Sequence, residues 1–345
     1  MTAHNPAPDL LIIGAGLAGL VCARDALGAG LRVKVLDKSK GVSGRAATRR
    51  IQLDDGREAR LDHGARFFTA RHDRTKAFAE AGIREGWLSE WTRTVSEWQG
   101  GEIHTPADGH PRYAPAEGFS AMGRALARGL DVQTNTEVTS LERRGKGWRV
   151  HTRDGASWET PRLILNLPAP QVAALLEDHE IGDAAEAVGR VRFDPCWAVG
   201  VVLERDLIDH TWPALKLTGH PALDWIAREH TKRASGHPPA LMLHAGAEWS
   251  RTNLERRPDE VLPDLLDAAA EVLDQKILGQ SLPHFHAFAH RWRYATPTAR
   301  VPEPCHWDEA LNIGWCGDWL TPDPHGPRVE AALLSGWRLA ARVKE

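Results

Sequence analysis

The arrangement of glycines in the N-terminal segment LLIIGAGLAGL constrains the fold more than any other feature of this chain. Gly14, Gly16 and Gly19 form a G-x-G-x-x-G pattern. In this pattern the first glycine permits a tight turn, the second lets the backbone approach a pyrophosphate, and the third allows a helix to pack closely on a strand. The apolar residues 10–13 predict a buried parallel strand before the glycines, and the leucines that follow have helical spacing. We therefore expect the first βαβ unit of a dinucleotide-binding sheet.

An acidic residue after the second predicted strand narrows the choice of dinucleotide. Val33 and Val35 alternate with charged residues in RVKVLDK, which predicts a strand that ends near Asp37. A carboxylate at this position accepts a hydrogen bond from a ribose hydroxyl and repels a 2′-phosphate. The alternative interpretation, a glycine-rich helix N-terminus that binds no ligand, gives Asp37 no role. FAD and NAD remain the candidates, with the helix N-terminus facing the phosphates.

Charge and composition exclude several other classes of protein. The chain has 345 residues, enough for two domains, and a formal net charge of -3, which argues against nucleic acid and acidic membranes as partners. No apolar run approaches the roughly 20 residues of a transmembrane helix, and residues 1–8 lack the basic start of a signal peptide. Four scattered cysteines without metal-ligand spacing predict reduced thiols. We expect a cytoplasmic protein without a bound metal, and the oligomeric state stays open.

Two further segments resemble the FAD-binding motifs of the glutathione-reductase-like superfamily, in its amine-oxidase branch. SGRAATRR contains Gly44 and Arg45, which in that branch lie beside the pyrophosphate or the flavin, although Ser43 stands where the branch usually has a glycine. CGDW contains Gly317 and Asp318, and the aspartate of this motif binds a ribityl hydroxyl or the phosphate region. The C-terminal helix would direct the positive end of its dipole at the flavin ring, where negative charge accumulates on reduction. Three elements in this order favour FAD over NAD.

The remainder of the chain predicts a discontinuous cofactor domain. Residues 131–160 predict several short strands, and RLILNLPAP predicts a buried strand that ends at a proline. Helical patterns occupy 171–177 and 259–278, and LNIGWCGDWL predicts a late strand before a helix from about Pro327 to Val343. The predicted fold class is α/β, a Rossmann-like FAD-binding domain (parallel sheet plus β-meander) with an inserted α+β substrate domain. The predicted boundaries are 9–64, 116–170 and 309–345 for the FAD-binding domain, and 65–115 and 171–308 for the substrate domain.

A narrower resemblance covers most of the chain. It rests on the segments DKSKGVSGRAATRR, LDHGARFFTAR, PAEGFSAMGRALARGL, LMLHAGAEWS, HRWRYATP and GDWLTPDPHGPRVEAALLSG, in this order. Together they are similar to the bacterial renalase family, within the amine-oxidase branch. That family usually continues DHGA with Gln-Tyr-Phe, where this chain has Arg66 and Phe67. This difference bears on the substrate preference.

The resemblance implies an FAD-dependent oxidase of misreduced nicotinamide dinucleotides, the 2- or 6-dihydro isomers of NAD(P). Hydride passes to flavin N5, and O2 reoxidises the flavin to give H2O2. A dihydronicotinamide becomes aromatic on losing hydride, so no side-chain base is needed, in agreement with the lack of a convincing acid–base pair. The alternative is a flavin-containing amine oxidase, because the fourteen tryptophans leave room for an aromatic cage. A non-catalytic flavin-binding protein is the second alternative.

The resemblance also implies a set of site residues, none of them catalytic because the flavin carries the chemistry. The substrate-binding residues would be Arg66, His244, Trp292 and Tyr294. A core histidine is an equal alternative for His244, and plain core packing is a strong alternative for Trp292. The FAD-binding residues would be Gly14, Ala15, Gly16, Ala18, Gly19, Asp37, Lys38, Gly44, Arg45, Ala46, His63, Gly64, Ala65, Arg66, Val138, Leu167, Gly317, Asp318, Arg328 and Val329.

Overall fold

A computed structural model of the chain describes residues 7–107, 109–179, 182–206, 212–273, 282–324, 326 and 328–344. The helices within these ranges are α1 (Leu17–Gly28), α2 (Asp73–Arg84), α3 (Phe119–Ala127), α4 (Ala169–Leu176), α5 (Asp183–Arg190), α6 (Ala247–Thr252), α7 (Pro258–Val272) and α8 (Val329–Val343), with a 3-10 turn at Glu229–Lys232. The strands are β1 (Leu10–Ile13), β2 (Val33–Leu36), β3 (Thr48–Gln52), β4 (Glu58–Asp62), β5 (Leu88–Thr92), β6 (Ser96–Gln99), β7 (Glu102–His104), β8 (Arg112–Pro115), β9 (Asp131–Gln133), β10 (Val138–Arg144), β11 (Gly147–Thr152), β12 (Ser157–Thr160), β13 (Leu163–Leu165), β14 (Arg192–Leu203), β15 (Ala214–Thr218), β16 (Leu223–Arg228), β17 (Ala240–Ala245), β18 (His284–Ala299), β19 (His306–Asp308) and β20 (Ile313–Trp315).

The chain divides into two compact units, each built from separate stretches of sequence. The first unit comprises residues 1–46, 122–192 and 297–345, and the second comprises residues 47–121 and 193–296. In this division the β3–β4 hairpin belongs to the second unit.

The first unit contains a sheet with the strand order β19-β20-β13-β1-β2-β9, in which neighbours are parallel except for the antiparallel edge strand β19. All four residues of β1 are apolar and buried, as expected for a parallel strand covered on both faces. Strands β10, β11 and β12 form an antiparallel meander. Helices α1 and α8 pack so closely that a Cβ on Gly336 would lie 2.1 Å from the carbonyl oxygen of Ala18. The predicted fold class, a Rossmann-like parallel sheet with a β-meander, is confirmed.

The second unit is built around a sheet with the strand order β18-β14-β17-β16-β15-β6-β7. Strands β14, β17, β16 and β15 pair antiparallel in succession, as do β6 and β7, whereas β15 and β6 are parallel. Two apolar clusters cover its two faces. Val199 and Val201 of β14 pack into one cluster together with α7, whereas Ala198 and Val202 pack into the other together with Leu61 of β4. This alternation follows from the two-residue period of a strand and places hydrophobic side chains on both faces.

The predicted helices and late strands correspond to observed elements. The pattern at 171–177 becomes α4, and the pattern at 259–278 becomes α7, which ends at Val272; residues 274–278 lie outside the described residues. The C-terminal helix begins at Val329, and Pro327 lies outside the described residues. Among the helices that the structure describes, none has the length and apolarity needed to cross a bilayer.

Candidate functional site

The three glycines of the N-terminal motif lie in a loop that has no room for side chains. Gly14 has φ = 102°, and a Cβ there would lie 2.1 Å from the carbonyl oxygen of Asn166. A Cβ on Gly16 would lie 2.8 Å from Oδ1 of Asn166, and a Cβ on Gly19 would lie 2.5 Å from the carbonyl oxygen of Gly14. These distances are shorter than a carbon–oxygen van der Waals contact, so a larger residue would displace the loop. The glycines thus hold the backbone where a phosphate can approach it.

Asn166, which the sequence patterns did not single out, holds this loop from the end of β13. Its Oδ1 accepts a hydrogen bond from the Gly19 N–H at 2.9 Å, and its Nδ2 donates to the carbonyl oxygen of Cys316 at 3.0 Å. Its backbone N–H also donates to the carbonyl oxygen of Ile13 at 2.7 Å. One side chain therefore connects the glycine loop to the end of β20. The only signal in the sequence is a single amide within the apolar run LILNLP.

The carboxylate of Asp37 is fixed beside the same loop. Its Oδ2 accepts from the Ala15 N–H at 2.7 Å and its Oδ1 accepts from the Ser39 N–H at 2.7 Å. Helix α1 has no acidic residue in its first turn and no side-chain cap from Gly16. The helix N-terminus therefore presents its partial positive charge beside a fixed carboxylate. This combination fits the phosphates and the ribose of FAD.

The SGR segment lies against the glycine loop, which holds Ser43 in a backbone conformation that favours glycine. The Ser43 N–H donates to the carbonyl oxygen of Ala15 at 2.7 Å, and Ser43 forms a β-bridge with Gly16. Ser43 has φ = 103°, a conformation that costs a residue other than glycine about 1–3 kcal/mol. Its Oγ donates to the carbonyl oxygen of Ala46 and holds the turn. The steric demand accounts for the glycine that the amine-oxidase branch usually has here.

Three ion pairs involve the predicted FAD-binding residues Arg45, Asp318 and Arg328. Nη2 of Arg45 lies 2.6 Å from Oδ1 of Asp318, so the second and third sequence motifs meet in the first unit. Arg328 pairs with Asp323 and, at 3.2 Å, with Glu330 in the first turn of α8. The side chain of Glu330 has no exposed area, and Arg328 compensates its charge.

The predicted FAD-binding residues belong to both units of the chain. Lys38 is exposed, with its Nζ 3.5 Å from Oε1 of Gln171, and the carbonyl oxygen of Leu167 accepts from Nε1 of Trp319 at 3.0 Å. The first unit holds Gly14, Ala15, Gly16, Ala18, Gly19, Asp37, Lys38, Gly44, Arg45, Ala46, Val138, Leu167, Gly317, Asp318, Arg328 and Val329. The second unit holds His63, Gly64, Ala65 and Arg66, together with the predicted substrate-binding residues His244, Trp292 and Tyr294.

In the second unit the structure brings Arg66 and His244 together. Nε of Arg66 donates to Nδ1 of His244 at 2.7 Å, so a neutral ring carries its proton on Nε2. Burial, and then the charge of Arg66, lower the pKa of His244 well below its usual value and keep the ring neutral. Nε2 is buried near the backbone of His63 without a well-aligned hydrogen bond. His244 therefore holds a neutral N–H donor at this site.

Asp224 and Trp225 of β16 complete this group, and neither was predicted from the sequence. Nη2 of Arg66 lies 3.8 Å from Oδ2 of Asp224, and Cζ of Arg66 lies 5.0 Å from the ring centre of Trp225. Oδ1 of Asp224 is buried and has no hydrogen-bond partner among the described residues. Burial raises the pKa of Asp224, although the charge of Arg66 opposes this shift. The group thus combines two donors and one acceptor beside an aromatic ring.

The rings of His63, His290 and Trp292 form a contiguous aromatic group. The rings of His63 and Trp292 are stacked, with centres 5.3 Å apart and 15° between their planes, and the His63 and His290 ring centres are 4.7 Å apart. Nε1 of Trp292 donates to the carbonyl oxygen of His63 at 2.7 Å. Burial, and then the proximity of His290, lower the pKa of His63 to about 4. Tyr294 instead packs edge-on against Phe193, with ring centres 5.8 Å apart.

Four charged side chains without exposed area hold the end of β4, where Asp62 is the first residue of the DHGAR segment. Nη2 of Arg233 lies 2.6 Å from Oδ2 of Asp62, and Nζ of Lys232 lies 2.5 Å from Oε1 of Glu229. The backbone N–H of Asp62 donates to Oε2 of Glu229 at 2.9 Å. Burial raises the pKa of Asp62, but the charges of Arg233 and Lys232 outweigh it and leave this pKa lowered. The two cations and two anions balance, as burial requires.

The described residues contain no group of three or more histidine, cysteine or acidic side chains arranged to hold a metal. The four cysteines are free thiols. Burial raises the pKa of Cys196, whose Sγ lies 3.7 Å from the carbonyl oxygen of Ala245, to about 12. This thiol is therefore protonated at neutral pH.

Comparisons with known proteins agree with this geometry. Residues 12–81 match an NAD(P)-binding Rossmann-like domain, and residues 85–344 match the flavin containing amine oxidoreductase family. The chain is 24% identical to renalase from Mus musculus over 310 residues, which is 85% of this chain and 86% of that protein. It is also 24% identical to polyamine oxidase 2 from Arabidopsis thaliana over 228 residues, which is 60% of this chain and 41% of that protein.

Solved structures share the fold at low sequence identity. Cyclohexylamine oxidase from Brevibacterium oxydans IH-35A has a TM-score of 0.74 at 11% identity, covering 98% of this chain and 99% of its own. A putrescine oxidase bound to putrescine has a TM-score of 0.73 at 14% identity, covering 97% and 98%. The match to the flavin containing amine oxidoreductase family extends over most of the chain, and the glycine loop fits the phosphates of FAD. FAD is accordingly the cofactor of this protein, and the chain belongs to the flavin containing amine oxidoreductase family.

Proposed function

We propose that this protein is an FAD-dependent oxidase of dihydronicotinamide dinucleotides, which removes hydride from 2- or 6-dihydroNAD(P). When bound, FAD supplies the hydride acceptor at N5 and transfers two electrons to O2, which yields H2O2. The observation that carries the proposal is the group of Arg66, His244 and Asp224 beside the ring of Trp225. The similarity to renalase over 85% of the chain supports it.

The polar atoms of this group match those of a nicotinamide carboxamide. The carboxamide has a carbonyl oxygen that accepts and an amino group that donates. Arg66 and Nε2 of His244 supply donors for the oxygen, and the unpartnered Oδ1 of Asp224 accepts from the amino group. The ring of Trp225 packs against the guanidinium of Arg66 and helps to hold it in place. We propose that Arg66, His244 and Asp224 bind and orient the dihydronicotinamide.

The reaction does not require the protein to move a proton on the substrate. A dihydronicotinamide becomes aromatic when it loses hydride, so the protein has to align the ring and keep water away. The lowered pKa of His244 agrees with this role, because a neutral imidazole donates one hydrogen bond and repels no cationic product. The product nicotinamide ring carries a positive charge, which the carboxylate of Asp224 partly compensates.

Amine oxidation is the second candidate, and Asp224 is the observation that favours it. An unpartnered carboxylate oxygen attracts an ammonium group, and the relatives include a polyamine oxidase. The guanidinium of Arg66, 3.8 Å from this carboxylate, opposes the binding of a cation there. A flavin-binding protein without turnover is the third possibility and predicts no reduction by either substrate class.

Anaerobic mixing with candidate substrates tests the proposal. Addition of 6-dihydroNAD should bleach the flavin absorbance, whereas putrescine and cyclohexylamine should not. Arg66→Gln should raise KM for 6-dihydroNAD about 10- to 100-fold, because a charged hydrogen bond contributes about 1.5–3 kcal/mol. Arg291→Gln, which alters an ion pair with Glu255 at the surface, is the control and should leave KM unchanged. Bleaching by an amine but not by 6-dihydroNAD would establish the second candidate instead.

A further inference from the structure

Alternate residues of β18 present a basic and aromatic face. His284, His286, Phe288, His290 and Trp292 are two residues apart and therefore point to the same side of the strand. The packing agrees: Phe288 and Trp292 belong to the apolar cluster beneath β3 and β4, whereas the intervening alanines, Ala287 and Ala289, pack into the cluster on the opposite face of the sheet. Three imidazoles thus share one face with the rings at the candidate substrate site.

Arg49 of β3 adds a fixed positive charge to this face. Its Cζ lies 4.5 Å from the ring centre of Phe288, the residue between His286 and His290 on the same side of β18. Among the described residues, the side chain of Arg49 makes no hydrogen bond or ion pair, and the residue is exposed. Burial, and then the charge of Arg49, lower the pKa of both His286 and His290. The guanidinium therefore lies close to both imidazoles without a compensating carboxylate of its own.

This face is continuous with the candidate substrate site. His290 contacts the ring of His63 at 4.7 Å between centres, and the backbone of His63 lies near the imidazole of His244. At about 3.4 Å per residue, His286 lies roughly 14 Å along β18 from His290. A ligand whose aromatic ring is held by His244 can thus extend along β18 past Arg49. All of these residues belong to the second unit.

We propose that Arg49, His286 and His290 form a subsite for the phosphate groups of the nucleotide substrate. The inference rests on the proposed function, because it concerns the part of the substrate that does not react. A guanidinium and two imidazole N–H groups are donors suited to phosphate oxygens. The donors suit the pyrophosphate bridge and an additional 2′-phosphate equally.

The test compares substrates with and without phosphates. The wild type and Arg49→Gln are assayed with 6-dihydroNAD, 6-dihydroNADP and 6-dihydronicotinamide riboside. We expect Arg49→Gln to raise KM for both dinucleotides about tenfold or more without changing kcat, and to leave the riboside unaffected. A larger effect on 6-dihydroNADP than on 6-dihydroNAD assigns the subsite to the 2′-phosphate, and an equal effect assigns it to the pyrophosphate. An equal rise in KM for the riboside would overturn the proposal.

Arg50→Gln is the matched control, because Arg50 is also exposed on β3 but points to the other side of the strand. It should leave all three KM values unchanged. Binding of inorganic pyrophosphate, measured by calorimetry, separates failure of the subsite from failure of the proposed function. If the wild type oxidises none of the three compounds, the proposed function fails, yet pyrophosphate should still bind the wild type more tightly than Arg49→Gln. Equal pyrophosphate affinity of the two proteins would overturn the subsite.

Discussion

Removal of the Asn166 side chain should loosen the glycine loop. The side chain accepts a hydrogen bond from the Gly19 N–H and donates one to the carbonyl oxygen of Cys316. A buried group that loses its partner typically costs about 1–3 kcal/mol, and two such groups are affected. We expect Asn166→Ala to lower the free energy of unfolding by about 2–6 kcal/mol and to weaken the retention of FAD.

The same substitution should also make room for a side chain at Gly16. The three heavy atoms nearest to a Cβ on Gly16 all belong to the side chain of Asn166, the closest at 2.8 Å. Gly16→Ala alone is therefore overpacked and should cost about 1–3 kcal/mol. Because Asn166→Ala removes the obstructing atoms, the double variant should be more stable than the sum of the two single effects by about 1–2 kcal/mol.

Gly19→Ala is the matched control for this cycle. Its Cβ would lie 2.5 Å from the carbonyl oxygen of Gly14, an obstruction that Asn166→Ala leaves in place. Urea denaturation of the single and double variants gives the coupling energies, and flavin absorbance after gel filtration gives cofactor retention. The reasoning is refuted if Gly16→Ala and Asn166→Ala are additive within about 0.5 kcal/mol, or if Gly19→Ala is rescued to the same extent.

Three further predictions concern stability. The pKa of His63 is about 4 in the folded state and 6.5 in the unfolded state, so acidification protonates the unfolded state first. The contribution of neutral His63 to the free energy of unfolding is therefore complete above pH 6.5, and up to about 3 kcal/mol of it is lost as the pH falls towards 4. His63→Gln should flatten this part of the pH–stability curve measured by urea denaturation. Lys232→Met leaves the two buried carboxylates with one cation and should cost about 3–5 kcal/mol in thermal or urea denaturation, and a loss below 1 kcal/mol would contradict a structural role for that charge. Gly123→Ala would place a Cβ 2.4 Å from Cβ of Ser43 and should cost about 1–3 kcal/mol, whereas Gly189→Ala, with no heavy atom within 4 Å of the new Cβ, should stabilise its helix by about 0.4–1 kcal/mol.

The parts of the fold that follow local rules could be predicted from the sequence. The glycine pattern and the buried apolar run that precedes it are consecutive in the chain, so β1, the loop and α1 follow from adjacent residues. The family resemblance brought Arg66 and His244 into one predicted site, and the structure joins them by a hydrogen bond at 2.7 Å although they are 178 residues apart. Spacing alone would not have connected them.

The residues that escaped prediction are polar groups whose partners lie far away in sequence. Asn166 contacts Gly19 across 147 residues, and Asp62 contacts Arg233 across 171 residues. A single polar residue in a loop or at a strand end has no periodicity, so its role depends on folded partners that no local pattern identifies. Ser43 differs in kind: a serine in a positive-φ position contradicts the local preference, and the surrounding loop imposes the conformation.

The alternation along β18 has a consequence for how this strand can vary. In its first half, Ala287 and Ala289 pack on one side of the sheet, and the even positions from His284 to Trp292 carry imidazoles and larger aromatic rings on the other. Insertion or deletion of one residue within the strand would exchange the two sets beyond that point, burying imidazoles among leucines and exposing alanines. Related chains should therefore differ here by replacement of individual residues, and changes of length should be confined to the segments that flank the strand.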